Sequence, residues 1–280
     1  MIPAPFQYLR PTSLDQALDF LIQQGDDGKI LAGGHSLIPA MKLRLAQPRT
    51  LIDIGRIADL KYIRESADGI VIGAMTTHTG IERSPLLGKE CPLMSEVAGM
   101  IGDVQVRNRG TLGGSLVHAD PAADWPAAIL ALEAEMELAR PFGRRVVPAT
   151  EFFLDIMQTA VQPDEILVEV RVPKTSTSVA YVKTAQKASG FAIAGVAVVT
   201  DRGARSVKVG VTGVAARAYR ANAVEEALTG EERIEGLMES ASRHAVDGIE
   251  PLGDIHASTD YRAHLAKVNT KRAIELAIGR

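Results

Sequence analysis

The sequence predicts an α+β chain. Helix-period and strand-like segments alternate over the first half, and two glycine-rich segments punctuate them: Ala32, Gly33, Gly34, His35, Ser36, and Thr111, Leu112, Gly113, Gly114, Ser115. From about Thr175 the texture changes to closely spaced apolar strands followed by helical patterns. Pro163 and Pro173 are the strongest punctuation near that change. The division expected is 1–57, 58–174 and 175–280.

The elements follow in chain order. Leu14, Ala17, Leu18 and Leu21 share a helical face, Ser13 is a candidate N-cap, and Gly25 stops the helix. Residues 29–32 form a short apolar strand running into the first Gly-Gly pair. Ser36 is placed to cap a short helix with Pro39 in its first turn. Residues 50–54 read as a second strand. Residues 62–65 and 69–74 read as paired strands turning at Gly69. After Pro92, Leu93, Met94, Val97, Met100 and Ile101 recur at helical spacing. The basic stretch Arg107-Asn108-Arg109-Gly110 leads into the second glycine segment, read like the first as a loop after extended chain. A turn over 118–124 precedes a helix near Trp125-Pro126, with Asp124 in N-cap position. Residues 137–139 and 145–147 are strands joined through Pro141-Phe142-Gly143. Residues 179–184, 192–199 and 207–211 suggest an antiparallel meander, with a tight turn at Asp201-Arg202-Gly203. Helices fill the rest, the last marked by Leu265, Val268, Ala273, Leu276 and Ala277.

Composition narrows the function. The 280 residues are 46% hydrophobic, ample for a core, and the net charge of −3 carries no basic surplus for nucleic acid. The N-terminal residues lack the basic and apolar regions of a secretory leader, and no apolar run approaches about 18 residues, so a soluble cytoplasmic protein is expected. Cys91 is the only cysteine. An internal disulfide and a cysteine-built zinc or iron–sulfur site are excluded, so any redox centre is organic or lies on a partner.

A Gly-Gly pair lets backbone approach a ligand and aim successive N–H groups at an anion. Two such segments suggest a ligand with two negative charges, such as a dinucleotide pyrophosphate; the bland alternative is two unrelated turns. Neither the P-loop pattern nor Gly-x-Gly-x-x-Gly is present. His35 reads as a loop residue or a metal ligand, and His118, Asp120 and Asp124 match no metal spacing. Arg107 and Arg109 serve either phosphate neutralisation or a salt-bridged hinge. Lys183, in an otherwise apolar strand, is the better ligand candidate of the pair Lys183 and Lys187, which would share a strand face.

Taken in order, Ala32-Gly33-Gly34-His35-Ser36-Leu37-Ile38-Pro39, Leu51-Ile52-Asp53, Gly73-Ala74-Met75-Thr76, residues 105–115, Asp120-Pro121 and the C-terminal residues 254–262 resemble the medium, FAD-binding subunit of molybdenum hydroxylases. This is the carbon monoxide dehydrogenase and xanthine dehydrogenase family. The resemblance runs from Pro5 to about Ala277. It implies two N-terminal subdomains clasping FAD in a vanillyl-alcohol oxidase-like fold, then a domain of three-stranded antiparallel sheet and helices. It implies that 32–36 and 111–115 hold the pyrophosphate by N–H groups and hydroxyls. Thr76 would lie near the flavin end, and Asp124 would contact ribityl or ribose hydroxyls. Lys183 would approach the flavin ring, and Ile101 would shield one face. Phe191 stands where relatives carry a hydroxylated aromatic, and Gly190 where they carry Asp. FAD would be noncovalent. The molybdenum cofactor and [2Fe–2S] clusters would sit on large and small partner chains, in a dimer of heterotrimers that delivers electrons to an external acceptor. A stand-alone FAD oxidoreductase and a non-enzymatic assembly protein are the other classes considered.

Overall fold

The computed structural model describes every residue except 176, 177, 202, 232 and 233. Arg202, in the turn expected between two C-terminal strands, therefore lies outside the described residues.

The N-terminal unit is a three-stranded parallel sheet. Gln7–Leu9 and Gly28–Leu31 flank the central Thr50–Asp53. The helix Leu14–Gln24 covers it with Ala17, Leu18 and Leu21, and Ser13 caps it by accepting from the Gln16 N–H at 3.2 Å. A second helix, Leu37–Lys42, follows the first glycine segment, but Ser36 makes no side-chain cap there.

The middle unit is a five-stranded antiparallel sheet. Its order is Ile63–Ser66, Gly69–Gly73, Ile166–Val172, Glu135–Arg140, Gly143–Pro148. The central strand, Ile166–Val172, lies between Pro163 and Pro173, which read in the sequence as boundary punctuation rather than as the flanks of a strand. Helices cover the sheet over a core that includes Leu93, Met94, Val97, Leu112, Trp125 and Phe152. The helix after Pro92 stops at Met100. Met100 is 38% exposed and leaves the buried stripe, whereas Ile101, the C-cap with extended backbone, is half-buried against the same core.

The C-terminal unit contains the three expected strands, Val179–Ala185, Ala192–Asp201 and Ser206–Thr212, extended by the two-residue strand Tyr219–Arg220. The 20-residue helix Thr259–Ile278 lies across this sheet with Leu265, Ala266, Ala273, Ile274 and Ala277 buried. Val268 and Leu276 fall off that face. Asn269 and Thr270 take their place, Asn269 donating to Ala194 O at 3.0 Å. A buried amide is tolerated there because its donors are satisfied.

Candidate cofactor site

The two glycine segments touch. A Cβ at Gly33 would fall 2.8 Å from Gly110 Cα, and one at Gly114 would fall 3.2 Å from Ala32 Cβ. At Gly33, where the neighbours are Arg109 and Gly110 backbone, only a residue without a side chain permits the approach. Gly34 has φ +78, a left-handed conformation that turns the chain after the strand.

The segments differ in what they offer. In the first, the N–H groups of Gly33, Gly34, His35 and Ser36 have no acceptor within the described chain. The second is not a loop after a strand, as expected, but the start of the helix Leu112–His118, preceded by the helix Val104–Arg109. Its N–H groups are largely committed. Leu112 donates to Thr76 O at 3.0 Å, Gly113 to Ala74 O at 2.8 Å, and Gly114 to the capping Thr111 hydroxyl at 3.2 Å. Ser115 donates to Thr111 O at 3.0 Å. The expectation of two equivalent N–H cradles is therefore corrected: the first segment supplies free donors, and the second supplies a capped helix end that backs it. Thr76 is buried and donates its hydroxyl to Tyr62 O at 3.1 Å, so it anchors the second segment from below.

A second cluster joins the middle and C-terminal units. Asp124 occupies the N-cap position of the helix Trp125–Ala131 but makes no side-chain cap. Its Oδ1 instead accepts from the Tyr181 hydroxyl at 2.6 Å and pairs with Lys183 Nζ at 2.9 Å. Both charged side chains are 4% exposed. Burial pushes the Asp124 carboxyl up, against the pull of Lys183 and Tyr181, and pushes the Tyr181 phenol well up. Lys183 Nζ also donates to Met100 O at 2.6 Å and Gly190 O at 2.8 Å. An ammonium has three protons, so none is left for another partner. Within the chain, Lys183 therefore joins Asp124 to two main-chain carbonyls. Lys187 lies beyond the strand, exposed in the turn, and shares no face with Lys183.

Arg107 takes the structural role. Its Nε donates to Glu82 at 3.0 Å, and one terminal nitrogen donates to Ile101 O at 3.1 Å and Gly102 O at 3.2 Å. Cations at a helix C-terminus satisfy carbonyls that have no helical partner. Ile101 is half-buried on this braced segment, and Phe191, at the end of the 186–191 turn, is 47% exposed. Arg109 is exposed; its carbonyl packs on Gly33.

Sequence reasoning missed Tyr181 and His78. Trp125 Nε1 donates to His78 Nδ1 at 3.1 Å, which places the ring proton on Nε2 beside Gly110. Burial pushes the His78 imidazole down to about 4, helped by His35 and Arg107 nearby. No signal short of the fold pairs residues 47 positions apart. The C-terminal signature is structural: Asp254 accepts from Arg262 at 2.6 Å, and Arg262 also donates to Ile193 O at 2.7 Å. Among the described residues, no His, Cys, Asp and Glu cluster could hold a metal, and no helix is long and apolar enough to cross a membrane.

Residues 4–175 match the family described as the FAD binding domain in molybdopterin dehydrogenase, and 179–277 match the CO dehydrogenase flavoprotein C-terminal domain. The chain is 42% identical to the carbon monoxide dehydrogenase medium chain of Hydrogenophaga pseudoflava, over 100% of this chain and 99% of that one. It is 36% identical to the nicotine 6-hydroxylase medium subunit of Paenarthrobacter nicotinovorans, over 98% and 97%. Two solved structures are similar over 100% of this chain and 99% of each of theirs. One is the H. pseudoflava carbon monoxide dehydrogenase lacking the Mo-pyranopterin moiety of its cofactor, with a TM-score of 0.96 at 42% identity. The other is quinoline 2-oxidoreductase from Pseudomonas putida 86, with 0.93 at 34%.

Proposed function

Because this chain belongs to the FAD-binding medium subunits of the carbon monoxide dehydrogenase-type molybdenum hydroxylases, we propose that it carries electrons from [2Fe–2S] clusters on a small partner chain to an external acceptor. Bound FAD supplies the two-electron chemistry that no side chain here can supply. Substrate hydroxylation belongs to a large molybdenum-bearing partner. The assembly is a dimer of heterotrimers in the cytoplasm.

One observation carries the reading: the row of unpartnered N–H groups at Gly33, Gly34, His35 and Ser36, pressed against the second glycine segment. Such a row suits a pyrophosphate, and the Ser36 hydroxyl adds a donor. Ala32 seats this row on Gly114, and the residues Thr111, Leu112, Gly113, Gly114 and Ser115 form the capped helix end that backs it. Asp124 Oδ2, which no other side chain occupies among the described residues, receives a ribityl or ribose hydroxyl. Ile101 and Phe191 flank the ring end, and Thr76 anchors the second segment. Attachment is noncovalent: Cys91 is fully buried with its thiol pushed up to about 11, and His35 belongs to the phosphate segment.

The test is the flavin content of the purified full chain or its complex. Oxidised-flavin absorbance and release of one FAD per chain on denaturation are expected. A colourless chain that FAD does not reconstitute overturns the reading.

A further inference from the structure

Lys183 stands where three separately folded segments meet. Its Nζ reaches Asp124 before the helix Trp125–Ala131, Met100 O at the end of the helix Pro92–Met100, and Gly190 O in the 186–191 turn. We propose that Lys183 is a positioning residue, a latch that holds the turn bearing Phe191 against the segment bearing Ile101 and so closes one end of the cofactor cleft. This rests on the FAD reading above.

The two sides of the contact are held unequally. Met100, Ile101 and Gly102 present three successive carbonyls beyond the helix end. Arg107 grips the last two and is itself anchored on Glu82. That side stays in place without Lys183. The turn is closed within itself, Gln186 donating to Phe191 O at 2.8 Å and Gly190 to Gln186 O at 2.9 Å, so it moves as a unit. Among the described residues, its ties across the cleft include the Lys183 bridge, the Ala192 N–H on Ala122 O at 3.1 Å, and a bare contact of Gly190 on Gly102. A Cβ at Gly190 would come 3.4 Å from Gly102 Cα, and both glycines have left-handed φ. Such a contact contributes little attraction by itself. The buried pair with Asp124 fixes the ammonium at the point from which both carbonyls are in reach. A charge already matched by Asp124 and sharing its remaining protons between two carbonyls acts on the cofactor through geometry.

The experiment uses the full chain loaded with FAD. Quenching of flavin fluorescence by acrylamide is compared for wild type, Lys183→Met and Lys183→Arg. A neutral quencher keeps the change of charge from altering access. Lys183→Met is expected to retain FAD and admit the quencher several-fold faster, and Lys183→Arg, which keeps charge and donors, to restore protection. Amide exchange on the cofactor-free chain is the second readout: faster over 186–191 in Lys183→Met, unchanged at Ile101 and Gly102. Unchanged quenching or unchanged exchange in Lys183→Met overturns the latch. So does a lowered flavin midpoint potential with unaltered access, which marks a cation acting on the ring directly. Loss of the folded chain in Lys183→Met, seen by circular dichroism, also overturns it, because a latch is dispensable for the fold. A wild-type chain that takes up no FAD, either alone or in its complex, overturns the underlying reading instead.

Discussion

Gly33→Ala separates a packing role from a ligand role at the first glycine segment. The added Cβ would lie 2.8 Å from Gly110 Cα and closer still to Arg109 O, both backbone atoms that cannot rotate away. Ordinary contact begins near 3.4 Å, so the two segments must part by at least about 0.6 Å. A donor set for a typical N–H···O distance of about 2.9 Å then sits at about 3.5 Å, the edge of hydrogen bonding. Overpacking of this kind costs about 1–3 kcal/mol of stability. Loss of two or more charge-assisted bonds should weaken FAD binding by well over tenfold. Gly88→Ala is the control: nothing lies within 4 Å of the new Cβ, and the backbone there is helical. The assay is FAD titration of the cofactor-free full chain, with thermal unfolding alongside. If Gly33→Ala binds FAD and unfolds as wild type does, the contact between the segments does not set the donors, and the reasoning fails.

Two further outcomes are expected. His78 is held neutral, with its folded value near 4 below the ordinary 6.5, so its contribution is complete above pH 6.5 and is lost as pH falls toward 4. The separation corresponds to about 3 kcal/mol. His78→Asn, which keeps an acceptor for the Trp125 indole, should lose markedly less stability than wild type between pH 7 and 4.5. Urea unfolding followed by the single tryptophan measures this, and identical pH dependence in both chains contradicts it. Arg145→Ala strands the Glu165 carboxylate, whose side chain is 1% exposed and which Arg145 binds through two 2.7 Å bonds. Only the Gln162 N–H at 2.9 Å then remains, and a loss of about 2–4 kcal/mol is expected; a melting shift equivalent to less than about 0.5 kcal/mol refutes it.

Local grammar was legible where local physics decides the structure. Ser13 caps the first helix, Gly69 turns the hairpin, and the alternating strands after residue 178 pair as a meander. The second glycine segment misled because Gly-Gly disfavours a helix by propensity, while the Thr111 cap and packing on Ala74 override that preference. The strand Ile166–Val172 acquires its place only from partners near residues 70 and 137. The site divides in the same way. The free donors of residues 33–36 follow from composition and turn chemistry. The commitments of Asp124, Lys183 and Arg107 follow from carbonyls and a phenol brought in by other elements, and no spacing encodes them.

The position of Ile166–Val172 has a consequence for synthesis. It pairs with Gly69–Gly73 on one side and Glu135–Arg140 on the other. Until it has emerged from the ribosome, two apolar strand edges wait without their common partner, and the loop to be closed back to Gly69 spans about a hundred residues. Closure over that length is slow, and open edges in the interval invite pairing with other chains. Nascent chains halted before residue 166 should therefore be the aggregation-prone species of this protein, and chaperone engagement should end once Val172 is free to dock.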